Sequence, residues 1–129
     1  MKTILLVDDE YALVETLTEF LQGEGFRVVS AENGKEGLER LQDERVDLVI
    51  TDFMMPIGDG RELILAMRAH ADQSSIPVIM VTASTRAVAL SGGAVKVSFF
   101  FSKPFRLEKL LEAVHQLIGP GVSGGGDAP

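Results

Sequence analysis

Two short apolar runs that end in acidic residues, Ile4-Leu5-Leu6-Val7-Asp8-Asp9 and Leu48-Val49-Ile50-Thr51-Asp52, decide the fold of this chain. A continuous apolar run of this length is typical of a β-strand that is buried on both faces of a parallel sheet. In open parallel sheets, ligands bind outside the carboxyl ends of the strands. The two runs therefore predict that Asp8, Asp9 and Asp52 lie together at the functional edge of a sheet.

Three carboxylates at one edge point to a bound cation. At a separation of about 4 Å and an effective dielectric constant near 20, each pair of charges repels by roughly 4 kcal/mol. A hard divalent cation relieves this repulsion, and ligand sets made only of oxygen favour Mg²⁺ or Ca²⁺. A single aspartate after a strand is usually a loop cap, whereas three at the same edge favour a metal site.

Size and composition narrow the class of protein. The 129 residues are enough for one domain with a real core. The net charge of −7 argues against direct binding to nucleic acid or to anionic membranes, and the absence of cysteine excludes disulfides and thiolate metal sites. The first apolar run stops at Asp8, which is too early for a signal peptide, and no stretch is long enough to span a membrane. We expect a cytoplasmic protein.

Apolar runs alternate with amphipathic segments along the chain. The predicted strands are Thr3–Val7, Phe26–Ser30, Asp47–Thr51, Ile76–Val81 and Val97–Phe101. Helical spacing of apolar residues marks segments around Leu13–Leu21, behind the capping box Asn33-x-x-Glu36, behind Asp59-x-x-Glu62, and over Leu107–Ile118. This alternation predicts an α/β fold with a doubly wound, five-stranded parallel sheet of the flavodoxin-like type, in which the first and third strands are neighbours.

Two further polar residues end predicted strands at the same rim. Thr82 follows the fourth strand and Lys103 follows the fifth. A carboxylate can act as a nucleophile toward phosphorus, and such a transfer uses a cation, a lysine and a hydroxyl group on the phosphoryl oxygens. Asp52, a metal ion, Lys103 and Thr82 supply these parts. We expect the lysine at an exposed rim, where it contributes little to stability.

Four motifs occur in order: Val7-Asp8-Asp9-Glu10, then Asp52-Phe53-Met54-Met55-Pro56-Ile57-Gly58-Asp59-Gly60, then Val81-Thr82-Ala83, and finally Ser102-Lys103-Pro104-Phe105. On these motifs the chain resembles, over roughly residues 2–118, the CheY-like response-regulator receiver domains of two-component signalling. Four motifs at family-like spacing are far more specific than any one alone.

The resemblance implies a phosphorelay role with Mg²⁺ as the cofactor. Asp52 would accept a phosphoryl group from a sensor histidine kinase or a phosphotransfer protein. Asp9 would bind Mg²⁺ directly, together with Asp52, Asp8 chiefly through water, and Met54 through its backbone carbonyl. Such a domain is a signalling phosphoacceptor that catalyses only its own phosphorylation and slow dephosphorylation, so it is not a conventional enzyme. Its output would be contact with a downstream protein target.

The resemblance also assigns the residues of the switch. Lys103 would pair with one phosphoryl oxygen and Thr82 would hydrogen-bond another. The switch aromatic residue would be Phe100, which lacks the hydroxyl of a tyrosine. The peptide bond before Pro104 would be cis, which places the lysine ammonium over the site.

One segment departs from the family pattern. The Ser91-Gly92-Gly93-Ala94 stretch comes earlier than in most members, and two consecutive glycines stop a helix. We therefore expect a short or irregular fourth helix, roughly Thr85–Leu90. This departure favours an alternative function, a phosphorylation-independent receiver-like interaction module that has kept the fold and lost the switch.

A phosphatase of the haloacid-dehalogenase type would also use an aspartate nucleophile. That class needs a second aspartate two residues further on as the acid and base, and Met54 occupies this position. The sequence therefore disfavours turnover chemistry. The domain is predicted over residues 1–118, followed by a flexible Gly/Pro-rich tail or linker at residues 119–129.

Overall fold

The computed structural model describes residues 1–53, 55, 58–83 and 96–122, and within them five parallel strands form one sheet. The strands are β1 (Thr3–Val7), β2 (Arg27–Ala31), β3 (Leu48–Thr51), β4 (Val78–Thr82) and β5 (Phe99–Ser102). Their order across the sheet is β2-β1-β3-β4-β5. The predicted flavodoxin-like α/β fold is confirmed, with the first and third strands adjacent, and each strand boundary lies within two residues of its predicted position.

Helices cover both faces of this sheet. Those in the described residues are α1 (Tyr11–Gly23), α2 (Gly34–Asp43), α3 (Gly60–Arg68) and α4 (Leu107–Ile118). The short or irregular helix predicted at roughly Thr85–Leu90 lies outside the described residues, and α4 is therefore the helix that follows β5. Among the described residues, the search for a helix able to span a membrane finds none.

The strands bury side chains on both faces, as their continuous apolar sequences predict. Leu5 and Val7 point to one face and pack with Leu63 in the cluster under α2 and α3. Ile4 and Leu6 point to the other face and pack under α1 and α4. Each fully buried side chain of this kind contributes on the order of 1.5–3 kcal/mol relative to an exposed one. The two layers fix the register of β1, and hence the place where it ends.

The two predicted capping boxes differ in detail. At the start of α3, Asp59 accepts from the backbone N–H of Glu62, and the Glu62 carboxylate accepts from the backbone N–H of Asp59. At the start of α2, Asn33 Oδ1 accepts from the Glu36 N–H at 2.8 Å. The Glu36 carboxylate, however, accepts from the N–H of Glu32 at 2.6 Å instead of from that of Asn33. The second box therefore satisfies a backbone donor one residue earlier than predicted.

The beginning of α2 is in backbone contact with the loop that follows Asp52. Gly34 N–H donates to the carbonyl oxygen of Gly58 at 2.6 Å. A Cβ atom on Gly34 would lie 2.9 Å from the Gly58 carbonyl carbon and 3.0 Å from Asp59 O. Gly58 itself has a φ of +70°, which favours glycine. The approach of these two backbones fixes the loop between β3 and α3 against α2.

The chain after α4 returns to the turn between α1 and β2. Val122 N–H donates to the carbonyl oxygen of Gly25 at 3.0 Å. The structure thus places the chain up to Val122 against the domain. The rest of the predicted tail, residues 123–129, lies outside the described residues.

The close contact at Gly34 leads to a prediction on stability with a matched control in the same helix. Gly34→Ala should lower the free energy of unfolding by about 2 kcal/mol, because the new methyl group meets backbone atoms that cannot move aside. Gly37→Ala places its methyl 3.3 Å from Val7 Cγ2 and 3.6 Å from side-chain atoms of Leu63. Side chains can yield, and alanine gains roughly 1 kcal/mol of helix propensity, so this variant should stay within about 1 kcal/mol of the wild type. Urea unfolding of both variants measures the difference, and equal stabilities would contradict the role given to the Gly34 contact.

Candidate functional site

The three predicted acids meet at the carboxyl edge of the sheet. β1 and β3 pair in register with Val7 opposite Thr51, and the Asp52 N–H donates to Val7 O at 2.9 Å. Asp8 and Asp52 therefore leave the sheet side by side, and both are buried, whereas Asp9 is exposed. One carboxylate oxygen from each of the three acids lies within 4.8 Å of those of the other two.

This set of oxygens is chemically suited to a hard divalent cation. Two of the carboxylates are buried and the third faces solvent, so a cation held by them would keep an open side for water or for a ligand. The predicted fourth ligand, the backbone carbonyl of Met54, lies outside the described residues.

Lys103 binds this acidic cluster directly. Its Nζ lies 2.9 Å from Asp8 Oδ2, 3.2 Å from Asp52 Oδ2 and 3.2 Å from Glu10 Oε1. The lysine side chain is only 16% exposed. The expectation of an exposed rim lysine is therefore wrong. The reason is that Lys103 extends across the strand ends to reach β1 and β3, so its stem is covered while its ammonium group meets the acids.

The acids and the lysine alter each other's protonation equilibria. Burial raises the pKa of Asp8 above 3.8, although the hydrogen bond from Lys103 and that from the Glu10 N–H act in the opposite direction. Burial of the Lys103 ammonium opposes its charge, but the hydrogen bond to Asp8 and the charges of Asp8 and Asp52 outweigh it, so the pKa of Lys103 is raised. Lys103 is thus held as an ammonium ion, the form that binds anionic oxygens.

The carboxylate of Asp52 is oriented by its neighbours. Its Oδ1 accepts from the Phe53 N–H at 2.6 Å, and its Oδ2 accepts from Lys103 Nζ. The following loop closes where Gly60 N–H donates to Phe53 O at 3.0 Å. A Cβ atom on Gly60 would collide with the backbone carbonyl of Asp52, so glycine is required for this closure.

The remaining predicted residues lie on β4 and β5, beside the acids. Thr82 is fully buried at the end of β4, and its carbonyl oxygen accepts from the Lys103 N–H at 2.9 Å. Phe100 is half-buried and packs on the α2 and α3 side of the sheet, whereas its neighbours on β5 pack on the other side. The Lys103-Pro104 peptide bond is cis.

Glu10 is the residue that the sequence reasoning missed. Its carboxylate accepts from Lys103, and its N–H donates to Asp8 Oδ1 at 2.9 Å. One signal was available, because Glu10 directly follows the Asp8-Asp9 pair in the loop that leaves β1. A single glutamate at a helix start has an ordinary explanation, so only the fold brings Lys103 within reach and reveals the contact.

The burial of Lys103 leads to a prediction on pH-dependent stability. Because the folded-state pKa of Asp8 is raised, its ionisation costs stability as pH rises above 3.8, and the Lys103 ammonium offsets that cost. Lys103→Met should therefore lower the free energy of unfolding by about 2 kcal/mol at pH 7, and by less at pH 3.5, where a larger fraction of Asp8 is protonated.

Urea unfolding of the metal-free protein between these two pH values measures this effect. Lys109→Met is the matched control, since that lysine is 58% exposed and its contact with Glu112 is 3.8 Å long. The control should change little at either pH. A loss in Lys103→Met that is the same at both pH values would show that the lysine does not compensate the acids.

Comparisons with known sequences place the chain in a family. The model of the response regulator receiver domain matches residues 4–115. The response regulator MprA of Mycolicibacterium vanbaalenii is 36% identical over 119 residues, which are 89% of this chain and 49% of that protein. The transcriptional regulatory protein GltR of Pseudomonas aeruginosa is 35% identical over 121 residues, 91% of this chain and 49% of GltR. The chain thus spans about half the length of these relatives.

Solved structures agree with the sequence relatives. The chemotaxis protein CheY4 of Vibrio cholerae is 31% identical and has a TM-score of 0.84, covering 92% of this chain and 99% of its own. The response regulator TrrA of Thermotoga maritima, solved in complex with Mg²⁺-BeF, is 33% identical with a TM-score of 0.79, covering 92% of this chain and 100% of its own. The chain therefore belongs to the response regulator receiver domain family of two-component signalling.

Proposed function

We propose that the domain is a phosphoacceptor in which Asp52 receives a phosphoryl group from the phosphohistidine of a sensor histidine kinase or phosphotransfer protein. A carboxylate oxygen of Asp52 attacks phosphorus, so that an O–P bond forms while the P–N bond breaks. The bonding electron pair leaves with the imidazole nitrogen, and the product is an aspartyl phosphate. The observation that carries this proposal is the contact of Lys103 with Asp52 at 3.2 Å, inside a cluster of three acids.

In this proposal, Lys103 and Thr82 bind the negatively charged oxygens of the phosphoryl group. The Lys103 ammonium group already lies beside the Asp52 oxygen, so it is within reach of an oxygen on a phosphorus bonded there. Thr82 ends β4 and its carbonyl oxygen accepts from the Lys103 N–H, and this neighbouring position supports the proposal that its hydroxyl group is a second donor. An ammonium group that is already held beside the reacting oxygen stabilises a phosphoryl oxygen with little reorganisation, and the Thr82 hydroxyl group adds a second donor.

The cation proposed for Asp8, Asp9 and Asp52 is Mg²⁺, with the Met54 carbonyl as a further ligand. When bound, the cation neutralises the negative charge shared by the acids and the phosphoryl oxygens. Two observations support this assignment. Asp8, Asp9 and Asp52 each offer a carboxylate oxygen, a hard donor, and the related TrrA has been solved with Mg²⁺-BeF.

The output of this domain is a change in protein contacts. In the proposed switch, Thr82 moves toward the phosphoryl group and Phe100 fills the space behind it, which biases an existing equilibrium between two conformations. The downstream partner is a protein target. The domain extends over residues 1–118, and residues 119–129 form a tail or linker whose first part, up to Val122, returns to the turn before β2. The match of the family model to residues 4–115 supports these bounds.

Phosphorylation with a small donor tests the nucleophile. Incubation with acetyl phosphate and Mg²⁺ should add one phosphoryl mass to the wild type, and Asp52→Asn should abolish the addition because an amide is not a nucleophile toward phosphorus. Asp47→Asn is the control, since Asp47 lies at the opposite end of β3 and bonds to the Thr3 N–H. Stoichiometric labelling of Asp52→Asn, measured by intact-protein mass spectrometry, would show that Asp52 is not the phosphoacceptor.

Metal titration tests the cation site separately. Calorimetry should detect weak binding of Mg²⁺ to the wild type, and Asp9→Ala should abolish it because the exposed ligand is lost. Asp59→Ala, which removes an acid from the cap of α3, should leave the affinity unchanged. Equal affinities of wild type and Asp9→Ala would contradict the assignment of the three acids.

A further inference from the structure

Glu10 makes two contacts with the site through different parts of the residue. Its backbone N–H donates to Asp8 Oδ1 at 2.9 Å, and its carboxylate oxygen Oε1 accepts from Lys103 Nζ at 3.2 Å. The Glu10 side chain is 59% exposed, so it closes the outer side of the lysine while Asp8 and Asp52 close the inner side. None of the functions proposed above assigns a role to this carboxylate.

We propose that Glu10 is a positioning residue, which holds the Lys103 ammonium group in place for binding of the phosphoryl group at Asp52. This inference rests on the proposed function and adds a residue to it. The substitution of interest removes only the side-chain contact, because the bond from the Glu10 N–H to Asp8 belongs to the main chain.

Lys103 shares its hydrogen bonds among three carboxylates, and this sharing supports a positioning role for Glu10. An ammonium group has three donors, and here it meets three carboxylates. Asp8 and Asp52 are also proposed cation ligands, so their oxygens serve two positive groups. Glu10 is not a member of the three-acid cluster, and its carboxylate is therefore available to Lys103 when the other two are engaged. One N–H bonded to Glu10 leaves the others for phosphoryl oxygens.

The positioning role predicts a change in affinity that is opposite in sign to simple electrostatics. Removing a negative charge beside an anion site should tighten anion binding if charge alone matters. If Glu10 holds Lys103, the same removal should weaken anion binding, because the lysine must then be ordered during binding at a cost in side-chain entropy. The two explanations are therefore separated by the direction of the effect.

Beryllofluoride, an analogue of the phosphoryl group, is the probe for this test. Its affinity is measured by calorimetry with saturating Mg²⁺. We expect Glu10→Gln to bind about threefold more weakly than the wild type, which is the scale of an exposed ion pair. Glu10→Asp keeps the charge and shortens the side chain, so it should show a similar loss.

Glu32→Gln is the matched control. Glu32 lines a cavity of about 380 Å³ together with Asp8 and Asp9, and it is not among the acceptors of Lys103. This variant makes the same change in charge near the acids and should bind beryllofluoride as tightly as the wild type, or slightly more tightly. Tighter or unchanged binding in Glu10→Gln, or wild-type affinity in Glu10→Asp, would overturn the positioning role.

A second measurement needs neither metal nor phosphoryl analogue. Side-chain NMR relaxation of the Lys103 ε-methylene group in the metal-free protein should show greater motion in Glu10→Gln than in the wild type. Equal motion would overturn the inference by an independent route. Failure of the wild type itself to bind beryllofluoride would count against the proposed function, whereas loss of the difference between wild type and variants would count only against Glu10.

Discussion

The structure depends on the compensation of charge at the carboxyl edge of its sheet. Asp8 and Asp52 are buried side by side, and two ionised carboxylates in such a place destabilise a fold unless a positive group faces them. Lys103, which directly follows β5, supplies that group and crosses the strand ends to reach both acids. Burial raises the pKa of Asp8 although Lys103 acts against this shift, and contact with Asp8 and Asp52 raises the pKa of Lys103 in spite of its own burial.

The rest of the fold keeps this arrangement in place. The two apolar layers fix where β1 and β3 end, and thereby bring the two buried acids together. The loop after Asp52 is fixed at two points by backbone contacts that only glycine permits, at Gly58 against Gly34 and at Gly60 against the carbonyl of Asp52. The acids therefore lie on strand ends and a braced loop, which favours a site whose geometry exists before any ligand arrives.

How far the sequence could predict this molecule depends on the range of each interaction. The parallel sheet and the juxtaposition of Asp8 and Asp52 follow from apolar runs that end in acids. Each run indicates a buried parallel strand, and parallel strands end at the same edge of a sheet, which brings the two acids together. The burial of Lys103 was not predictable in the same way. A long side chain reaches in many directions, and its actual path depends on the tertiary structure around it.

Some local details of the structure also differ from their predictions, because they too depend on the tertiary structure. The strands begin or end up to two residues from their predicted positions, because pairing with neighbouring strands and not propensity decides the last bonded residue. The carboxylate of Glu36 accepts from the backbone N–H of Glu32 and not from that of the cap residue Asn33. The contact of Glu10 was not predicted because a glutamate before a helix is common, and its partner Lys103 lies 93 positions away in the sequence.

The position of Lys103 also bears on how a local reaction at Asp52 could reach a surface. Its ammonium group contacts the acids, and its backbone N–H is bonded to the carbonyl oxygen of Thr82 on the neighbouring strand. Phe100 lies three residues earlier, on β5, and packs against the core cluster under α2 and α3. In the proposed function, an ammonium group that exchanges a carboxylate for a phosphoryl oxygen alters the forces on the end of β5. Because packed cores favour a few discrete arrangements over gradual deformation, such a shift can be passed on as a change in the packing of Phe100. Lys103 compensates the negative charge of the acidic cluster, and it is therefore well placed to transmit a change in the charge of that cluster to β5.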